Sequence, residues 1–165
     1  MTQKELSLLF PSNCHKEGLL LLVPPSKFHK LEGKTIEKSR LHILLCEGII
    51  EFELNGKTHE LKGPSFLDIV DTSTIQISKI NPNLQAWCLF ITFEFAGNSL
   101  KTLRPGPLNH LLERLSLPVW SLSQEESGTL EGQLLLLEKT LDNPKHYYQQ
   151  ELFETYFKSF SLELG

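Results

Sequence analysis

The chain is poor in the residue arrangements from which catalytic and redox centres are usually assembled. Its three cysteines, Cys14, Cys46 and Cys88, are widely spaced and form no CxxC pair. An odd number without paired spacing suggests neither a disulfide framework nor a zinc site, and fits a reduced compartment. None of the six histidines (His15, His29, His42, His59, His110, His146) stands at HxH or HxxxH spacing to another. A strand that presents a metal to one face needs ligands two residues apart, and that pair is missing. His42 and His59 keep a route to each other across strands, but the favoured reading of both is a hydrogen-bonded histidine in a partly polar interior.

Phosphate cradles are missing too, since there is no GxGxxG and no Walker sequence. No GxSxG elbow surrounds Ser65, and Cys14 and His15, being adjacent, point to different sides of most backbones. A hydrolase is therefore disfavoured, and the segment that carries Cys14 is expected to be poorly structured. Long apolar runs are absent: Leu19 to Val23 is far too short to span a bilayer, and no basic region precedes an apolar core at the N-terminus. Positive charge is also short, with 16 Lys and Arg against 20 Asp and Glu and a net charge of -4. Such a chain offers no general attraction to nucleic-acid phosphates, and no segment joins basic residues to a helix-turn-helix pattern. The chain reads as soluble, untargeted and cytoplasmic, with no membrane partner.

What is present changes period along the chain. The 165 residues suit a single domain, 1–165, with strand signals in 1–96 behind an N-terminal segment and helix signals in 97–165. Leu19 to Val23 predicts a first strand stopped by Pro24 and Pro25, and the following "SKFHKLEGKTIEKSR" reads as loop or edge rather than core. Leu41 to Cys46 is an apolar run, Ile49 to Leu54 alternates, and Asn55-Gly56 supplies a type I′ turn. That turn sets Leu54 against Lys57, Phe52 against His59 and Ile50 against Leu61, so His59 shares a face with Phe52 and Leu61. Ser65 to Val70 and Thr74 to Ile80 follow, divided by a turn at Asp71-Thr72-Ser73. Beyond Asn81-Pro82-Asn83, Leu84 to Phe95 is apolar on both faces, which predicts a central strand: Trp87, Leu89 and Ile91 on one side, Ala86, Cys88 and Phe90 on the other. The spacing of strands and turns is that of an antiparallel sandwich or barrel.

In the helical third, Pro107 opens a short helix with Leu108, Leu111, Leu112 and Leu115 on one stripe. Ser123 and Glu126 form a capping box that introduces a helix over Gln124 to Leu141. Asp142-Asn143-Pro144 ends it, and a further helix is expected from Pro144, its stripe built from Tyr148, Leu152, Tyr156 and Phe160 and widened by Phe153 and Phe157. Two helices joined so briefly are expected to lie antiparallel. Leu130, Leu134, Leu137 and Leu141 alternate steps of four and three, and Leu135 and Leu136 extend the apolar surface to both sides. One face is expected to pack on the sheet and the remainder on a second copy, with those four leucines at a homodimer interface. An intramolecular hairpin is the plainer alternative. Gly128 and Gly132, each about 1 kcal/mol less favourable in a helix than Ala, fit the close approach of another backbone.

The order of elements resembles the N-terminal cupin-like sensor domain of AraC-family transcriptional regulators. In that family a Gly after an acidic or small residue, a "dG" or "nG" turn and a "kpGd" step punctuate the strands; Glu47-Gly48, Asn55-Gly56 and Lys62-Gly63-Pro64-Ser65 stand in those places. The last departs from the pattern, with Gly and Pro exchanged and Ser65 in place of the acid. The resemblance covers Leu41 to the C-terminus in element order, through motifs that cupins share generally. It implies a mainly β chain with C-terminal helices: a double-stranded β-helix, or jelly-roll barrel, followed by an antiparallel helical hairpin. Cupin enzymes carry an HxH pair, a Glu and a later His; here only His42 stands in the former region, and no His lies between Gly63 and Ile80. The resemblance thus implies the regulator branch: no enzyme activity, a small organic effector bound without metal or cofactor, and DNA contacted only through a helix-turn-helix domain absent from this chain. His42, Phe52, His59, Phe66 and Trp87 are the expected ligand-binding residues, the histidines orienting and the aromatics stacking on a sugar-like or aromatic molecule. The alternatives are a cupin-type metal-dependent oxygenase or isomerase and a stand-alone small-molecule-binding cupin.

Overall fold

The computed structural model describes residues 3–16, 20–36, 40–69, 74–92, 119–143 and 145–164. Among them a six-stranded antiparallel sheet runs in the order β1 (His15–Lys16), β2 (Leu20–Val23), β9 (Gln85–Ile91), β4 (Arg40–Glu47), β7 (Ser65–Ile69) and β10 (Val119–Ser121). A four-stranded sheet runs β3 (Thr35–Ile36), β8 (Ile75–Ile80), β5 (Ile49–Leu54), β6 (Lys57–Lys62). Helices α1 (Gln3–Ser7), α2 (Gln124–Leu141) and α3 (Gln149–Leu164) complete the elements, so the chain is a jelly-roll barrel followed by helices, as the strand and helix periods predict. No described helix is long and apolar enough to cross a membrane.

The hairpin forms where Asn55-Gly56 places it. Asn55 has φ 52° and Gly56 φ 84°, the positive pair a type I′ turn requires. Leu54 then meets Lys57, Phe52 meets His59 and Ile50 meets Leu61. The Asn55 side chain accepts from the Thr74 N–H at 2.9 Å and ties the turn to the start of β8. Gly48, at φ 105°, is fixed twice over, because a Cβ there would also stand 3.1 Å from the Leu84 side chain.

Strand alternation divides the apolar residues into two cores. Leu41, Ile43 and Leu45 of β4 point between the sheets and pack with Phe52, Leu61, Leu67, Ile69, Ile77, Cys88 and Phe90. Leu44 points outward with Phe66, Trp87, Leu89, Ile91, Leu20 and Leu22, and this outer face is covered by α2 and α3. β9, flanked by β2 and β4, is buried on both faces and lies inside the sheet as expected.

Two N-terminal segments are more ordered than their sequence suggests. Residues 25–31 form a 3₁₀ turn that buries Phe28 and Leu31, and Ile36 of β3 joins the same barrel core, so this stretch is core rather than loop. The three apolar side chains are isolated among polar neighbours, which hides them from a window average. Likewise Leu6, Phe10 and Cys14 recur every four residues and are all buried, correcting the expectation of a poorly structured N-terminus. Lys30 donates to the Leu9 carbonyl at 3.4 Å and lies over the Phe10 ring, 5.7 Å from its centroid, joining the two segments.

Helix α2 opens on the predicted capping box: the Ser123 hydroxyl accepts from the Glu126 N–H and the Glu126 carboxylate from the Ser123 N–H, both at 3.0 Å. The next helix begins later than predicted. The Gln149 N–H donates to the His146 carbonyl at 3.1 Å and residues 145–148 are turn, leaving Tyr147 and Tyr148 exposed. Its buried stripe is Phe153, Phe157 and Phe160, with Tyr156 only half-buried. Steps of four overshoot a helical turn of 3.6 residues, so the series from Tyr148 drifts off the face. The Gln149 side chain reaches the Thr140 carbonyl at 3.3 Å, while Glu163 lies by Glu125 and Glu126, so α2 and α3 run antiparallel. The helix expected after Pro107, the turn at Asp71-Thr72-Ser73 and the end of the Leu84 to Phe95 strand fall outside the described residues.

Candidate functional site

The five residues expected to bind a ligand do not converge. His42 and Phe66 lie on the outer face under the helices, with ring centroids 5.6 Å apart and Phe160 of α3 6.3 Å from His42. Across the β4–β7 pair, His42 Nδ1 stands 3.0 Å from Asp68 Oδ1, and both residues are buried. Trp87 shares that outer face and donates its indole N–H to Glu131 of α2 at 2.8 Å. Phe52 and His59 face the other way, their rings 5.4 Å apart within the smaller sheet. The larger sheet therefore separates the two histidines, which do not meet. Among the described residues no group of three His, Cys, Asp or Glu side chains is placed to hold a metal ion.

The outer face works as a mounting for the helices. The Cys46 thiol also reaches Glu131, at 3.5 Å, and is pushed up to about 11, chiefly by burial. Leu130, Leu134, Leu137 and Leu141 are at most 5% exposed and pack on Trp87, Leu89 and the α3 phenylalanines, so the four leucines are covered within one chain. The exposed apolar residues of α2 are Leu135 and Leu136, at 50% and 39%. Among the described residues, a Cβ at Gly128 or Gly132 would meet nothing within 4 Å.

A cleft of about 180 Å³ opens where the N-terminal segment, the barrel edge and the end of α2 come together. It is lined by Asn13 and Cys14 of the N-terminal segment, Leu22 and Pro24 at β2 and its end, Lys27 of the 3₁₀ turn, and Glu138, Leu141 and Asp142 at the end of α2. The Asn13 side-chain amide donates to Asp142 Oδ1 at 2.8 Å, bridging residues far apart in sequence. Burial raises the Glu138 carboxyl above its ordinary 4.5, the Asp142 charge adds to the rise, and Lys27 opposes it. Burial likewise raises the Cys14 thiol, which stays neutral at physiological pH. A second cleft, of about 250 Å³, is lined by Trp120, Leu122, Thr129, Leu130 and the carboxylates Glu125, Glu126 and Glu163. Glu126 is committed there to the capping box, whose hydrogen bonds lower its carboxyl.

Sequence reasoning passed over Glu131 and Glu138. Both sit on the buried side of α2, beside Leu130 and Leu137 and seven residues apart. An acid repeated on an apolar stripe is the signal that marks them. Asn13 and Lys27 carried no comparable signal.

Sheets, core and mounted helices define a jelly-roll domain with a helical pair against its larger sheet. That arrangement is the fold of part of apo ToxT K231A from Vibrio cholerae strain SCE256, with a TM-score of 0.55 at 10% identity over 91% of this chain and 57% of that one. Other similar structures are the AraC-like transcriptional activator CuxR (TM-score 0.44, 12% identity, 88% of this chain, 48% of that one) and a cupin with a double-stranded β-helix fold from Methanocaldococcus jannaschii (0.32, 16%, 48% and 72%). The structural neighbours thus include AraC-family regulators and cupin domains, all at low identity. This chain spans about half the length of the two regulators. No family model matches it, and no curated protein matches it by sequence.

Proposed function

We propose that the chain is the ligand-sensing and dimerisation domain of an AraC-type transcriptional regulator, taking a small organic effector without a metal and leaving DNA to a separate helix-turn-helix domain. The observation that carries this reading is the cleft at Asn13, Lys27, Glu138 and Asp142, where three separately folded elements share one set of walls. An occupant there contacts the N-terminal segment, the barrel and α2 at once. A ligand that prefers one arrangement of the three shifts the population toward it and re-aims whatever α2 is joined to. Phe52 and His59 serve the barrel core in this reading, and His42, Phe66 and Trp87 hold the helices on the sheet.

The packing of α2 supports one dimer face in this reading. With its leucine stripe turned to the barrel, α2 presents Glu125, Gly128, Thr129, Gly132, Leu135, Leu136 and Lys139 to solvent. These recur at steps of three and four, the spacing of a helix–helix seam. Pairing with a second copy, antiparallel about Gly132, sets Leu136 over Gly128 and Glu125 against Lys139 twice. Among the described residues nothing stands within 4 Å of a Cβ at either glycine, which supports this register.

The reading is tested by metal analysis of chain purified without chelators, alongside its mass in solution. A dimer without stoichiometric Fe, Mn, Ni or Zn is expected. Stoichiometric metal lost on replacing His42 or His59 overturns it in favour of a cupin enzyme.

A further inference from the structure

The charges around the cleft specify a ligand more narrowly than its volume does. At about 180 Å³ it is smaller than the roughly 300–1,000 Å³ of drug-sized sites. Glu138 lies in the last turn of α2 and Asp142 caps it, so two carboxylates stand at the negative end of the helix dipole, where cations are the favoured neighbours. The last turn also carries Lys139, which is exposed and does not line the cleft. Lys27 reaches the same space from the 3₁₀ turn, and its charge is felt by both Glu138 and Cys14. Leu22 and Leu141 border the same space but are only 1% and 5% exposed, so its accessible surface is mainly polar.

A simple anion would face two carboxylates and the helix's negative pole. A simple cation would face Lys27. A molecule with charges of both signs on a small aliphatic body gives each charged wall an opposite neighbour. Resting on the effector-sensing reading above, we infer that the cleft takes a zwitterion of amino-acid size, its ammonium between Glu138 and Asp142 and its carboxylate toward Lys27. Binding relieves the repulsion between the two carboxylates and clamps the Asn13–Asp142 bridge.

The test is calorimetric titration of the full chain with L-valine, isobutylamine and isobutyrate, with amide spectra to place the perturbed residues. Valine is expected to bind and to shift amides of residues 13–14, 27 and 138–142. The amine and the acid, which keep the body and one charge each, are expected at least tenfold weaker. Glu138→Gln and Lys27→Met should each weaken valine at least tenfold while the remaining amide spectrum stays native. Equal binding by isobutylamine, or shifts placed elsewhere, overturns the zwitterion while the effector reading stands. If valine does not bind but a metabolite extract still shifts the same amides, the ligand class alone is wrong; if neither does so, the effector reading falls as well.

Discussion

Glu138 shows at the scale of a residue how partial burial of an acid works against the stability of a fold. Its carboxyl is raised in the folded chain, so the folded state binds the proton more tightly than the unfolded one. Its contribution to stability is therefore full below the ordinary value of 4.5 and is lost as pH rises through the raised value. Glu138→Gln is expected to raise the melting temperature at pH 7 and to flatten its decline above pH 4.5, as read by thermal melts across that range. A melting curve of unchanged pH dependence would count against a strained carboxylate. Glu131 is the opposite case, an acid on the same stripe that the fold uses. Glu131→Ala strands the Trp87 indole N–H, which is buried, and should cost about 1–3 kcal/mol in urea unfolding, with Glu131→Gln recovering much of it. The Asn55-Gly56 register was legible because a two-residue turn needs only local information. The division of His42, Phe66 and Trp87 from Phe52 and His59 was not. Alternation tells which residues of a strand share a face, but where both faces are apolar it does not tell which face meets helices.

At the scale of elements, α2 was readable and α3 less so. The α2 cap and stripe sit at regular spacing, and the structure keeps both. For α3 the aromatic residues at steps of four suggested an earlier start and a stripe through Tyr148, whereas packing selects Phe153, Phe157 and Phe160. Deleting one of these should be felt as a core loss: Phe157→Ala is expected to cost about 3–5 kcal/mol. Ser123→Ala, which removes the capping hydroxyl at an exposed helix end, should cost only about 1 kcal/mol. Chemical denaturation of both variants separates these magnitudes, and similar losses would mean that α3 packs less tightly than its burial indicates.

On the scale of the whole molecule, one face of α2 is packed on the barrel and the opposite face, exposed, is the proposed seam. Leu134 and Leu137 are 1% and 0% exposed, so Leu134→Glu places a charge in the core under the helices and should unfold the chain rather than merely separate two copies. The dimer has to be tested on the opposite face, through Glu125 and Lys139, both exposed. An antiparallel seam about Gly132 brings each glutamate to the partner's lysine. Glu125→Lys alone, or Lys139→Glu alone, replaces both attractions with like-charge contacts and is expected to shift the mass in light scattering from dimer toward monomer at low salt. The double variant Glu125→Lys with Lys139→Glu restores both pairs with their signs exchanged, and the dimer should return. A parallel pairing sets each glutamate opposite a glutamate and each lysine opposite a lysine, so its double variant gains nothing over the wild type. Recovery of the dimer therefore reports the antiparallel register, and single variants that keep the dimeric mass would exclude this face as the interface.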